Sequence, residues 1–149
     1  MESKMIAKLY KTLSRNDTGE TKSHQSGISI PASVAHSGIF PKLGTDKLNP
    51  RITITFTDEN GRDWKFQYIY YNDAFFGKPA RQSHNEHRLT CVKDYIAENA
   101  IHSGDQIWFG IDEHNERYIG FKKEANANIT EVDGTTVIKL SANWHYVKF

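Results

Sequence analysis

The chain has 149 residues, a net charge of +1, 38% hydrophobic and 12% aromatic residues, and a single cysteine. One domain of this length buries enough surface to fold without staples, so the composition points to one folded, β-rich domain over residues 1–149 and excludes a disordered chain. No apolar run approaches the roughly 18 residues of a membrane span, the first residues lack a secretory h-region, and Cys91 alone excludes an internal disulfide or a cysteine zinc site, which together lead us to expect a cytoplasmic protein.

The pattern from Met5 to Leu13 predicts a strand with loose alternation. The stretch 14–25 (SRNDTGETKSHQ) holds no aliphatic residue and cannot reach a core, so it reads as a surface loop or arm. Ser26–Ile30 is a short strand, and Pro31 opens a short helix to Ser37, as the first helical turn tolerates proline. Arg51–Thr57 (RITITFT) alternates strictly and predicts a strand; an Asn60-Gly61 turn returns the chain along Trp64–Tyr71. Residues 72–86 form a second long polar connection. A strand over Arg88–Val92 follows, then a helix to Asn99 capped by Asp94. Strands are predicted at Gln106–Ile111, Arg117–Lys122, Thr135–Leu140 and His145–Phe149, with tight turns at 112–115 and Asp133-Gly134. The sum is a mostly-β barrel or sandwich with two short helices.

The near-neutral total hides an asymmetry. Residues 1–93 carry a net +5 and residues 94–149 a net −4. A basic half suits a polyanion, and both long polar loops lie in it. The first holds Arg15, Asn16, Lys22, His24 and Gln25. The second holds Asn72, Lys78, Arg81, Gln82, His84, Asn85, Glu86, His87 and Arg88. These side chains match the edges of base pairs: Arg pairs with guanine O6 and N7, Asn or Gln with adenine N6 and N7, and a carboxylate accepts from cytosine N4. A glutamate among basic residues fits readout, because a purely electrostatic phosphate binder has no use for it. The plain alternative is two solvated loops with locally paired charges.

Catalytic patterns are weak. His84-Asn-Glu86 and His114-Asn-Glu116 repeat one tripeptide, but neither makes the H-E-x-x-H spacing of a helical zinc site. No G-x-S-x-G elbow or Walker loop is present. Asp112, Glu113, Lys122 and Lys123 are the residues a small metal-dependent nuclease would use, and their place at a turn argues against it. Cys91 reads as a small packed strand residue. Trp64, Trp108, Phe109 and Trp144 read as packing residues and not as a stacking platform. Tyr70, Tyr71, Phe75 and Phe76 leave open a protein- or carbohydrate-binding β domain.

An ordered set of short blocks carries a resemblance. It comprises Asn16-Asp-Thr-Gly19, Thr21, His24-Gln25, Gly27, Ile28 and Ile30-Pro31, then Phe40-Pro41, Leu48-Asn-Pro50, Tyr70-Tyr-Asn72, Phe76-Gly-Lys78, Arg81, Asn85-Glu86, Arg88 and Thr90. Together, over about residues 7–93, they resemble the N-terminal effector domain of EcoRII-type restriction endonucleases. Gly104-Asp105 also resembles the turn of the wider DNA-binding pseudobarrel fold shared by plant transcription factors. The resemblance implies a pseudobarrel of about seven to eight strands with two short flanking helices. It implies two arms that grip duplex DNA from the major groove, and these are the loops singled out above. The first arm would present Arg15, Asn16, Asp17, Thr18, Lys22, Ser23, His24 and Gln25. The second would present Asn72, Lys78, Arg81, Asn85, Glu86, His87 and Arg88, with Glu86 and Arg88 reading a C·G pair or its neighbours. Lys11 and Lys78 would clamp phosphates. The domain itself would be non-catalytic and need no cofactor. Its partners would be double-stranded DNA, with a short GC-rich site such as CC(A/T)GG, and a separate C-terminal catalytic domain that alone uses Mg²⁺, in a prokaryotic cytoplasm. Two departures stand out: the second arm is longer by a short segment, Gln82-Ser-His84, and His87 replaces a lysine, which puts its contact and pH dependence in question.

Overall fold

Alternating side chains give most of the strands an apolar face, and these faces converge on one main core. The computed structural model describes residues 4–21, 27–44, 46–72, 85–126, 136–140 and 143–149. In chain order the elements are β1 (Met5–Thr12), β2 (Ile28–Ile30), α1 (Ala32–Ala35), β3 (Arg51–Thr57), β4 (Asp63–Tyr71), β5 (Glu86–Thr90), α2 (Lys93–Glu98), β6 (Gln106–Asp112), β7 (Arg117–Lys122), β8 (Thr136–Lys139) and β9 (Trp144–Lys148). All nine strands belong to one sheet, in the order β2-β5-β4-β3-β7-β6-β1-β9-β8. Every pairing is antiparallel except β3–β7, which meet in parallel at Thr57 and Tyr118.

The sheet curls, and the aromatic rings show why. Phe40, just after α1, stacks on Tyr68 of β4 at 5.0 Å and lies 5.7 Å from Phe109 of β6. Two strands separate β4 from β6 in the sheet, so one ring can touch both only if the sheet wraps around it. Leu9, Ile28, Phe56, Phe66, Leu89, Ile107 and Trp144 complete the enclosed core. A mostly-β pseudobarrel with two short α-helices was expected and is found, as a curled half-barrel, with nine strands among the described residues where seven to eight were expected. A smaller cluster, Tyr10, Trp108 and Val147, packs on the outer face. There Gly120 is required, because a Cβ would overlap the Trp108 indole. Trp64, Trp108, Phe109 and Trp144 are all buried, as packing residues should be.

Several local expectations are corrected. β5 runs from Glu86 to Thr90 instead of Arg88 to Val92, because Cys91 takes a left-handed φ of 66° and ends the strand. Cys91 is therefore exposed and not packed in a strand. Helix α2 starts at Lys93 after Val92 with no side-chain cap, so Asp94 sits in its first turn, where a negative charge favours the helix dipole. The Asp133-Gly134 turn lies outside the described residues. Among the described residues no helix is long and apolar enough to cross a membrane.

Candidate nucleic-acid interface

Strand β5 organises the site. Its register places Glu86 opposite Tyr71, Arg88 opposite Ile69 on β4, and Ser29 of β2 opposite Arg88 on the other side. The second polar loop enters β5 at Glu86, and the first enters β2 at Ile28, which pairs with Leu89 near the other end of β5. The two loops are thus rooted at opposite ends of one five-residue strand. Between them, Glu86 and Arg88 share one face of that strand, two residues apart.

Arg88 is 9% exposed. Its Nε donates to Glu86 Oε1 at 3.0 Å, Nη2 reaches the same oxygen at 2.7 Å, and Nη1 donates to the Gly27 carbonyl at 3.2 Å. The guanidinium therefore ties the strand that follows the second arm to the backbone at Gly27, just beyond the first. Gly27 has φ 88°, and a Cβ there would overlap the Leu89 carbonyl, so only glycine allows this close approach.

The first arm begins as a braced turn. The Ser14 N–H donates to Asp17 Oδ2 at 2.9 Å, and the Asp17 N–H donates to Ser14 Oγ at 3.2 Å. This reciprocal pairing is the capping-box geometry at the start of a helical turn. Asp17 also takes the Lys11 ammonium at 2.7 Å, with both side chains under one-tenth exposed. Lys11 lies on the same face of β1 as Leu9, so the pair is buried on the core side of the sheet. Its ammonium is buried against its own chain, a different position from the surface clamp expected of it. Arg15 is exposed; Asn16 and Thr18 are half-buried. Asn16 Oδ1 accepts from Thr21 Oγ1, and Thr18 Oγ1 donates to the Arg15 carbonyl. Lys22, Ser23, His24 and Gln25 lie outside the described residues.

At the root of the second arm Asn72 is fully buried. It accepts from the Asn49 N–H at 2.7 Å, donates to the Lys47 carbonyl at 2.8 Å, and its own N–H donates to Asn49 Oδ1 at 3.1 Å. Its amide braces the loop instead of facing solvent, and Asn49 is held in a left-handed conformation, φ 48°. Lys78, Arg81 and the extra segment Gln82-Ser-His84 lie outside the described residues. Asn85 is exposed beside Glu86.

Strand alternation separates His87 from Glu86 and Arg88. Its imidazole turns to the inner face, stacked on Tyr70 at 4.3 Å and on Tyr68 at 5.5 Å. Burial, with His36 nearby, holds its pKa below the ordinary value, so the ring is neutral at pH 7.

Sequence reasoning missed two residues here. Glu20 accepts the Ser103 N–H at 3.1 Å and so fastens the first arm to the turn before β6; that hydrogen bond holds its pKa below the usual range. Arg51 is exposed opposite Ile69, on the same sheet face as Arg88. The alternation of RITITFT was signal enough to place Arg51 outward.

Among the described residues, those named for the nuclease alternative are engaged in separate contacts. Asp112 is fully buried and accepts from the His114 N–H, the Glu116 N–H and the Tyr118 hydroxyl. Lys123 belongs to another network, around Asp105 and the Ala100 carbonyl. Among the described residues no group of three His, Cys, Asp or Glu could hold a metal ion.

The chain belongs to the family described as restriction endonuclease EcoRII, N-terminal, whose model matches residues 2–130. The type II restriction enzyme EcoRII of Escherichia coli is 39% identical over 83 residues, covering 54% of this chain and 19% of that protein. Auxin response factor 3 of Oryza sativa subsp. japonica is 28% identical over 123 residues, covering 82% of this chain and 15% of that protein. The chain thus spans under a fifth of either relative. Among solved structures, the Arabidopsis FUS3–DNA complex aligns with a TM-score of 0.57 and 22% identity over 76% of this chain and 94% of that one. That likeness establishes the pseudobarrel fold.

Proposed function

We propose that this chain is a non-catalytic, sequence-specific reader of duplex DNA, acting as the target-recognition or effector module of a restriction endonuclease. The observation that carries the reading is the placement of Glu86 and Arg88 on one strand face between the roots of two polar arms, with Arg88 joining them through Gly27. Membership of the EcoRII N-terminal family supports it, as does the fold shared with a protein solved on DNA.

In this reading both arms enter the major groove. Arg88 donates to guanine O6 and N7, Glu86 accepts from cytosine N4, and Asn85 and Arg81 contact neighbouring pairs. Arg15, Asn16, Thr18 and the segment Lys22–Gln25 serve the first arm, and Lys78 serves the backbone. The Glu86–Arg88 pair is the free-state arrangement: it keeps a nearly buried guanidinium satisfied until a base edge replaces the carboxylate. The target is a short GC-rich site such as CC(A/T)GG. The domain needs no cofactor; Mg²⁺ and cleavage belong to a catalytic domain elsewhere in the same protein, working in a prokaryotic cytoplasm.

The test is fluorescence anisotropy with a duplex carrying one CCTGG site and a scrambled duplex of equal composition, over a salt series. A preference of about 10³ or more with a negative salt slope is expected. Equal affinity for both would discard the readout, and no binding at low salt would discard the reading itself.

A further inference from the structure

Four rings form a column from the core to the surface. Phe40 stacks on Tyr68 at 5.0 Å and 21°, Tyr68 on His87 at 5.5 Å and 20°, and His87 on Tyr70 at 4.3 Å and 18°. The column borders a cleft of about 490 Å³, lined by Tyr68, Tyr70, His87, His36, Lys42 and Leu43 among others. That volume falls within the range of small-molecule sites. A neighbouring cleft shares His36, Tyr70 and His87 and is lined in addition by Asn85 and Glu86. The larger cleft therefore adjoins the strand face described above without being part of it.

Three features define the ligand. The rings are stacked on one another, so the wall turns their edges to the cleft, and ring edges pack well against the face of a planar ring. The polar groups are neutral or cationic: His87 is a neutral imidazole with one donor and one acceptor nitrogen, His36 is exposed beside it, and Lys42 stands exposed at the rim. Finally, the Tyr68 hydroxyl is buried with no hydrogen-bond partner among the described residues. An orphaned buried hydroxyl is costly, and cleft-lining orphans are the groups a ligand satisfies.

We propose that this cleft is a binding site for a single unstacked nucleobase with its phosphate: the base lies against the Tyr68–His87–Tyr70 wall, the Tyr68 hydroxyl meets its edge, and Lys42 meets the phosphate. The source is either a base extruded from a bound duplex or a free mononucleotide. The duplex source rests on the DNA-binding reading; the mononucleotide source does not.

The probe is 2-aminopurine, whose emission is quenched by stacking. One arm titrates the whole chain into 2-aminopurine 5′-monophosphate. The other uses CCTGG duplexes carrying 2-aminopurine at successive positions, with anisotropy read from the same samples. Saturable quenching of the monophosphate is expected if free nucleotide binds, and a position-specific emission change in the duplex if a base is extruded. In either case Tyr68→Phe should weaken the response roughly 3- to 10-fold, the effect of one lost hydrogen bond. Its melting temperature should stay the same or rise, because the orphaned hydroxyl is gone; a merely structural tyrosine would show no change in binding. Lys42→Glu, at an exposed position, should weaken the same response without touching the core. If anisotropy rises but neither arm shows an emission response sensitive to Tyr68→Phe or Lys42→Glu, the cleft proposal is overturned and DNA binding stands. If anisotropy stays flat while the monophosphate binds, the DNA reading fails and the cleft site stands. No response in either arm overturns both.

Discussion

Two ion pairs stand at the roots of the two arms, and they differ in how far solvent reaches them. Lys11–Asp17 has side chains 9% and 6% exposed, whereas in Arg88–Glu86 the arginine is 10% exposed and the glutamate 29%. The first pair is sealed on both sides and lies on the core side of the sheet. The second is sealed on the arginine side only, so its carboxylate can be exchanged. Chemistry that looks alike in sequence, a basic residue with an acidic partner, thus serves the fold in one place and remains available for recognition in the other. The difference comes from position: Lys11 projects to the inner face of β1, while Arg88 and Glu86 project to the opposite face from the buried Leu89.

The largest expected effect is at the sealed pair. Asp17→Ala strands a buried ammonium and removes the acceptor of the Ser14 N–H. Breaking a buried pair from one side costs about 3–5 kcal/mol, a large share of a stability of about 5–15 kcal/mol. Urea unfolding should show it as a fall in midpoint. Replacing both partners, Lys11→Met with Asp17→Leu, should recover much of the loss, since no charge is then left alone. Equal losses in the single and double variants would mean that the carboxylate matters for the turn and not for the lysine.

The half-open pair should respond in binding more than in stability. Arg88→Ala is expected to cost about 1–3 kcal/mol of discrimination between cognate and scrambled duplex. Glu86→Ala should do the same at a neighbouring base pair, at a smaller cost in stability than Asp17→Ala, because Glu86 is already partly solvated and Arg88 keeps the Gly27 carbonyl. Anisotropy with single-mismatch duplexes separates the two. An unchanged cognate-to-scrambled ratio in Arg88→Ala would remove Arg88 from the readout and make its pair as structural as the first.

Much of this was legible in the sequence, and the failures are physical. The strict alternation of RITITFT marked β3 to the residue, and the aliphatic-free stretch from Ser14 marked the end of β1 and the turn that follows it. What single-residue patterns do not show is orientation. Asn72, Lys11 and His87 read as polar surface groups, yet Asn72 is a buried brace, Lys11 is ion-paired with Asp17 inside, and His87 stacks on the inner face. Those fates depend on partners distant in sequence, Asn49 for Asn72 and Tyr70 for His87. The end of β5 was misplaced for a local reason, the left-handed Cys91, at a residue type that gives no warning of it.

His87 adds a pH dependence. Its folded-state pKa is depressed by burial and by His36, and that of His145 is depressed by burial and by Lys139. In both cases the unfolded chain takes up protons first as pH falls. Stability from these groups is therefore present above their ordinary pKa near 6.5 and is lost as pH drops through the lower folded values. His87→Phe keeps a ring in the stack and removes that titration. Its loss of stability as pH falls below about 6.5 should be shallower than that of the unmodified chain. An identical profile would leave the acid response to His145 and the carboxylates.

The smallest effect distinguishes two lysines that the sequence alone makes equal. Each phosphate neutralised by a lysine releases condensed counterions and contributes about 0.9 to the slope of log affinity against log salt. A lysine whose charge is already answered inside the protein releases none. Lys11 is answered by Asp17, so Lys11→Met should lower stability and leave the salt slope unchanged. Lys78, in the second arm, is proposed as a phosphate contact, so Lys78→Ala should flatten the slope by about one and weaken cognate and scrambled duplex alike. Salt titrations of both variants, each checked for folding, decide the matter. A slope reduced by Lys11→Met would mean that DNA draws Lys11 out of its pair with Asp17, and the sealed root would then be as exchangeable as the one at Arg88.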